Sequence, residues 1–164
     1  MLHRLLLIVL IALFPSFSAF AANSRMLTGV VTHVTDGDTL WVRSRGSDPG
    51  VQVRLQGLDA PEVCQAFGAQ ARDALAAHVL HKPVTVSIKA RDVYRRSVGR
   101  VSLNGEDLGA WLVLNGYAWS THYQRRAAPY ARQEAAALGA RRGLWASASP
   151  VEPRIFRKRH GSCH

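Results

Sequence analysis

Residues 27–45 read LTGVVTHVTDGDTLWVRSR, two β-rich runs hinged on Asp36-Gly37-Asp38. Apolar and polar residues alternate on both sides of the hinge, the two-residue period of half-buried strands. Asp-Gly between such runs is a hairpin signal. A second turn, GSDPG at 46–50, leads into VQVRLQG at 51–57, which continues the pattern as a third strand. Three strands in meander therefore open the fold.

The texture changes after Phe67. In GAQARDALAAHVL (68–80), Ala71, Leu75, Ala76 and Val79 recur at helical spacing among good helix formers. Pro83 closes that connection. VTVSIK (84–89) and SVGRVSL (97–103) are strand-like, and Asn104-Gly105 makes a sharp turn after them. LGAWLVL (108–114) is a short apolar helix stopped at Asn115-Gly116. PYARQEAAALGARR (129–142) is a third helix, with proline at its start and Gly143 at its end. The order suits an α+β chain: a five-stranded barrel with three packed helices. Residues 147–164 lack periodicity and are expected to form a mobile basic extension unless Cys163 ties them down.

The N-terminal MLHRLLLIVLIALFPSFSAFAA reads as a secretory signal over residues 1–21. Arg4 gives a positive start, Leu5 to Phe14 an apolar run, and Ala19-Phe20-Ala21 a small-x-small cleavage site. An uncleaved anchor is the alternative, although the run falls short of the roughly 20 residues that span a bilayer. A mature chain beginning near Ala22 has one domain, 22–146, followed by the basic tail, 147–164. Export into an oxidising compartment makes a Cys64–Cys163 disulfide one of two readings, the other being two free thiols.

The chain carries a formal charge of +10, with only 11 acidic residues. Four of them, Asp36, Asp38, Asp59 and Glu62, fall in the two short motifs DGDT (36–39) and RLQGLDAPE (54–62). Grouped carboxylates repel one another unless a cation or a proton relieves them. The basic remainder points to a polyanionic partner. Hard cations such as Ca²⁺ take oxygen ligands converging from several segments, and Asp38 and Asp59 could converge in an antiparallel meander. Turn capping is the plainer reading for Asp36 and Asp38. Glu62, after the rigid Pro61, could orient or deprotonate a water; otherwise it is an exposed acid after a turn. Arg54 stands in an apolar strand pattern, where its planar fork suits a phosphate or a neighbouring carboxylate.

Taken together, DGDT, RLQGLDAPE, DVYRR (92–96) and GLW (143–145) resemble the staphylococcal nuclease (thermonuclease) family across residues 27–145. The resemblance implies an OB-fold barrel and Ca²⁺-dependent hydrolysis of DNA and RNA, leaving 5′-hydroxyl and 3′-phosphate ends. It implies Asp38 and Asp59 as calcium-ligand carboxylates, Ala60 as the backbone carbonyl ligand, and Asp36 as the acid behind them. Glu62 matches the acid beside the attacking water, and Arg54 the first phosphate-binding arginine. The family motif Asp-x-Tyr-Gly-Arg makes Arg96 the second, with Arg100 as an alternative of wrong spacing. Arg95 stands where the family has glycine, which matters only if that turn needs a positive φ. Tyr94 and Arg95 on that turn, and His122 and Tyr123 (with Trp119) after the second helix, are candidates for nucleic-acid contact and base stacking. Core packing is the plainer role for Trp119.

The resemblance points to a monomeric, secreted or periplasmic enzyme without stable membrane association, favouring single-stranded or flexible nucleic acid. Two alternatives stand beside it: a non-catalytic OB-fold binder of single strands, and a basic envelope protein that merely attracts anionic surfaces.

Overall fold

The computed structural model describes residues 25–121 and 127–163. The leader sequence, and His122 and Tyr123, lie outside the described residues. Strand β1 (Arg25–Asp36) pairs antiparallel with β2 (Thr39–Arg43), and β2 with β3 (Val51–Leu55). β1 is long enough to serve two partners. Its second half runs beside β2, and its first half beside β5 (Pro83–Arg91). Irregular register between Val31 and His33, and again between Val34 and Asp36, bends it from one neighbour to the other. β5 pairs with β6 (Ser97–Leu103), and β6 returns to β3 as a parallel partner through Val53–Ser97, Arg54–Val98 and Leu55–Gly99. That last pairing closes a five-stranded mixed barrel, the OB-type fold the motif pattern implies.

Alternation along the strands fills the barrel. Val31, Leu40, Val42, Val53, Val86 and Val101 are fully buried, each contributing on the order of 1.5–3 kcal/mol by leaving water. Helix α1 (Gly68–Val79) buries Leu75 and Val79 against this core. Between them in the chain, the two-residue β4 (Leu58–Asp59) pairs with β8 (Trp119–Ser120). The short β7 (Glu106–Asp107) feeds α2 (Leu108–Leu114), whose first turn is capped by the Asp107 carboxylate accepting from the amides of Gly109, at 2.8 Å, and Ala110. α3 (Ala131–Gly139) follows, then a 3₁₀ turn at Gly143–Ala146.

The tail departs from expectation. Instead of a mobile extension it forms a fourth helix, α4 (Pro153–His160), with proline in its first turn. A disulfide joins Cys163 to Cys64, 99 residues earlier. Pro153 is buried, and the Gln65 side-chain amide donates to the Val151 carbonyl at 2.6 Å. The physical reason is anchorage at both ends: a short helix with few apolar residues gains its order from tertiary contacts rather than periodicity.

Two glycines set the close approaches on which the barrel mouth depends. A Cβ on Gly37 would lie 2.7 Å from the Ala60 Cβ and 3.0 Å from that of Ala71, so the DGDT turn nestles against both. A Cβ on Gly68 would overlap the Glu62 carbonyl oxygen. Gly68→Ala must therefore push the loop carrying Glu62 away from α1. The expected cost is about 1–3 kcal/mol, read as a lower urea midpoint with an unchanged m-value; an unchanged midpoint would contradict this packing.

Candidate active site

Hairpin geometry brings the two acidic motifs together. β2–β3 register sets Arg54 opposite Thr39, immediately after Asp38. The Arg54 guanidinium donates from Nη1 to Asp38 Oδ1 at 3.0 Å and from Nη2 to Asp59 Oδ1 at 2.8 Å. Asp38 is also held by the Thr39 hydroxyl at 2.9 Å and by the Ala60 amide, which donates to Oδ2 at 3.2 Å. Asp36 takes the turn-capping part: its Oδ1 accepts from the Asp38 amide at 3.0 Å. Asp38 itself is turned inward, 2 % exposed, and Asp59 is 7 % exposed.

Such burial is unfavourable for charge, and a single fork shared by two carboxylates compensates it incompletely. The Asp38 carboxyl is pushed up to about 7: burial raises it most, Arg54 opposes this, and Asp36 and Asp59 add to the rise. For Arg54 the balance runs the other way. Burial lowers its affinity for the proton, but Asp38 and Asp59 outweigh burial and hold the guanidinium charged.

Glu62 lies on the loop between β4 and α1. Gln65 folds that loop, its Oε1 accepting from the Glu62 amide at 3.2 Å while its own amide donates to the Glu62 carbonyl at 2.8 Å. The Glu62 carboxylate is met by a residue the motif reading overlooked. Arg157, on α4, donates from Nη1 to Glu62 Oε1 at 2.8 Å and from Nη2 to Asp59 Oδ2 at 2.8 Å. Its Nη1 also reaches Asp59 Oδ1 at 3.2 Å. Its hydrogen bonds to Asp59 raise its proton affinity most, and the one to Glu62 adds to this, against a smaller opposing effect of burial. By sequence, residues 147–164 read only as a basic extension. The overlooked signal was Cys163: once paired with Cys64, two residues beyond Glu62, the tail must cross the acidic motif.

The structure gathers Asp36, Asp38, Arg54, Asp59, Ala60 and Glu62 at one end of the barrel. It does not bring the Arg96 guanidinium to them. Arg96 immediately precedes Ser97, which pairs with Val53 beside Arg54, but its Nε donates to Asp92 Oδ2 at 2.7 Å. Asp92 also accepts from the amides of Tyr94 and Arg96. Burial pushes its carboxyl up, yet these bonds from Arg96 and Tyr94 win and hold it below the usual range. Tyr94 is exposed, with the Arg96 guanidinium 5.3 Å from its ring centre. Arg95, in the glycine's place, adopts φ +67°, so the turn does require the left-handed region. Arg100 lies exposed on β6. Trp119 is buried, edge-on to Trp145 at 5.6 Å between ring centres, in the packing role.

Among the described residues no three His, Cys, Asp or Glu side chains are grouped to hold a metal ion. What the site offers a cation is a pair of buried carboxylates and neighbouring backbone oxygen, all hard donors. A cleft of about 730 Å³ opens beside them, running from Asp59 and Arg157 past Trp119 and Glu134 to Trp145.

Residues 52–147 match the model of the staphylococcal nuclease homologue family. Among similar proteins, Protein ParB of Escherichia coli is 39% identical over 143 residues, covering 80% of each chain. A Haemophilus influenzae protein named an endonuclease is 31% identical over 156 residues, 95% of this chain and 86% of its own length. A probable staphylococcal-like nuclease of Oryza sativa is 32% identical over 107 residues, 65% of this chain and 22% of its own.

Two outcomes follow from the site. In chelator, the folded Asp38, protonating near 7 against an ordinary 3.8, holds a proton that the unfolded chain has lost. Stability should therefore fall as pH rises from about 4 to about 7, and Asp38→Asn should flatten that slope in urea unfolding. A wild-type slope unchanged by Asp38→Asn would contradict the assignment. At the turn, Arg95→Gly removes the left-handed penalty, and the urea midpoint should rise by the equivalent of about 1 kcal/mol.

Proposed function

The chain belongs to the staphylococcal nuclease family and is a nuclease, and on that premise we propose that it hydrolyses phosphodiesters of DNA and RNA by calcium-assisted attack of water. The observation that carries this reading is the shared fork of Arg54 between the buried Asp38 and Asp59. Even with Arg157 on Asp59 and Glu62, two guanidiniums face the four carboxylates of Asp36, Asp38, Asp59 and Glu62, which leaves a deficit of positive charge. A divalent cation with a preference for oxygen fits that deficit and donor set.

Asp38, Asp59 and the Ala60 carbonyl would hold Ca²⁺, with Asp36 behind them contributing through water. When bound, the cation supplies a Lewis acid that polarises a phosphate oxygen and offsets charge there. Glu62 then positions the water, accepting its proton or ordering it by charge. Arg54 keeps further N–H donors besides the two it gives to Asp38 and Asp59. Those donors bind the scissile phosphate and stabilise the charge that grows on its oxygens during attack. Arg96, one residue before the β3–β6 pairing, would join it by exchanging Asp92 for phosphate. Tyr94 and Arg95, exposed on the same turn, and His122 and Tyr123 would contact the nucleic acid.

By the family resemblance, the cleavage leaves 5′-hydroxyl and 3′-phosphate ends. A water nucleophile needs no ribose hydroxyl, which suits both DNA and RNA. A site set at a barrel mouth favours single-stranded or flexible substrate that can enter it. The Cys64–Cys163 disulfide supports export, as a leader of residues 1–21 implies, because such bonds persist in oxidising compartments. The binding-only alternative gains nothing from a site that keeps both carboxylates, Arg54 and Glu62.

Purified protein should degrade labelled single-stranded DNA with added Ca²⁺, stop when a chelator is added, and leave 3′-phosphate ends. Glu62→Gln should slow cleavage by about 10²–10⁴-fold while DNA affinity changes only a few-fold. Equal losses of rate and affinity would instead make Glu62 part of substrate binding.

A further inference from the structure

The charge at the candidate cation site is already partly answered from within the chain. Asp59 has both carboxylate oxygens engaged: Oδ1 by Arg54 at 2.8 Å and by Arg157 at 3.2 Å, Oδ2 by Arg157 at 2.8 Å. The same Arg157 guanidinium takes Glu62 Oε1 at 2.8 Å, so one planar cation spans the acid assigned to the metal and the acid assigned to the water. Arg54 belongs to the barrel wall, whereas Arg157 is carried in from the C-terminal segment.

That segment is a strap fastened on both sides of Arg157. Before it, Val151 is held by Gln65 at 2.6 Å and Pro153 is buried; after it, Cys163 is bonded to Cys64. The Cys163 amide donates to Glu62 Oε2 at 3.4 Å, adding a contact to the same carboxylate. The anchoring partners Gln65, Cys64 and Glu62 all lie on the loop 62–65. The strap is thus tethered to the loop whose charge it neutralises, which keeps Arg157 at high effective concentration there.

We propose that Arg157 is a built-in competitor of the divalent cation, holding Asp59 and Glu62 together in the cation-free enzyme and giving up Asp59 when the cation binds. Arg157 thereby sets the cation concentration at which the enzyme works. Arg54 and Arg157 already occupy both Asp59 oxygens, so a divalent cation taking those oxygens would displace the Arg157 donors and repel the guanidinium at contact distance; docking of Arg157 on Asp59 and occupancy by the cation are therefore negatively linked. By the reciprocity of linkage, whatever weakens the Arg157 contact tightens cation binding by the same factor. The inference rests on the calcium reading of the site given above.

The test measures calcium binding by titration calorimetry, without nucleic acid, on wild-type protein, Arg157→Gln and Lys158→Gln. Lys158 is the exposed neighbour on α4 and controls for loss of one positive charge. Competition predicts binding about five- to tenfold tighter in Arg157→Gln, the scale of one charge-assisted hydrogen bond, with less than a twofold change in Lys158→Gln. Thermal unfolding provides the second readout. Arg157→Gln should melt lower than wild type in chelator, and the gap should close at saturating Ca²⁺. Unchanged or weaker calcium binding in Arg157→Gln, or equal tightening in both variants, overturns the competitor role. Absence of calcium binding in wild type and Arg157→Gln alike overturns the calcium reading itself, and the competitor role with it.

Discussion

Everything at the mouth of this barrel depends on one guanidinium shared by two buried carboxylates. Arg54 reaches Asp38 and Asp59 from a strand that cannot move without opening the barrel, because β3 is paired on one side with β2 and on the other with β6. The arrangement is stable only while compensated. Removing the arginine would strand the buried Asp38 and leave Asp59 to Arg157 alone, a loss of several kcal/mol by the usual cost of breaking a buried pair. The same arrangement is unbalanced, since four acids crowd the DGDT and RLQGLDAPE motifs. A nuclease needs this tension: a site satisfied by its own arginines would have no reason to take a cation or a phosphate.

The fold around it was largely legible from the chain. Ser97–Leu103 and Leu108–Leu114 have the bounds their apolar patterns suggested, because each is short, periodic and punctuated by Asn-Gly. The hairpin around Asp36 was readable for the same reason. The barrel was expected from element order and motif resemblance, but the parallel pairing of β3 with β6 that closes it is a long-range event that no local period encodes. α4 was missed for a related reason. Its order comes from the disulfide, from Gln65 and from the carboxylates it meets, not from an apolar stripe of its own.

The site divides in the same way. Asp38, Asp59 and Arg54 were readable as a group because they lie on paired strands of fixed register. Arg157 was invisible as a partner because it approaches from 98 residues further on than Asp59. At Arg95 the motif comparison raised the right question and the backbone answered it. A non-glycine residue sits at φ +67° and bears the strain, while Asp92 gathers the turn by accepting from Tyr94 and from Arg96.

Binding of the cation that drives cleavage to Asp38 and Asp59 is tested by titrating Ca²⁺ against the initial rate of single-stranded DNA cleavage for wild-type protein and Asp59→Asn. Asp59→Asn should need at least tenfold more Ca²⁺ for half its maximal rate, since a neutral amide replaces a charged ligand. Superimposable calcium curves, or undiminished cleavage in chelator, would contradict that binding.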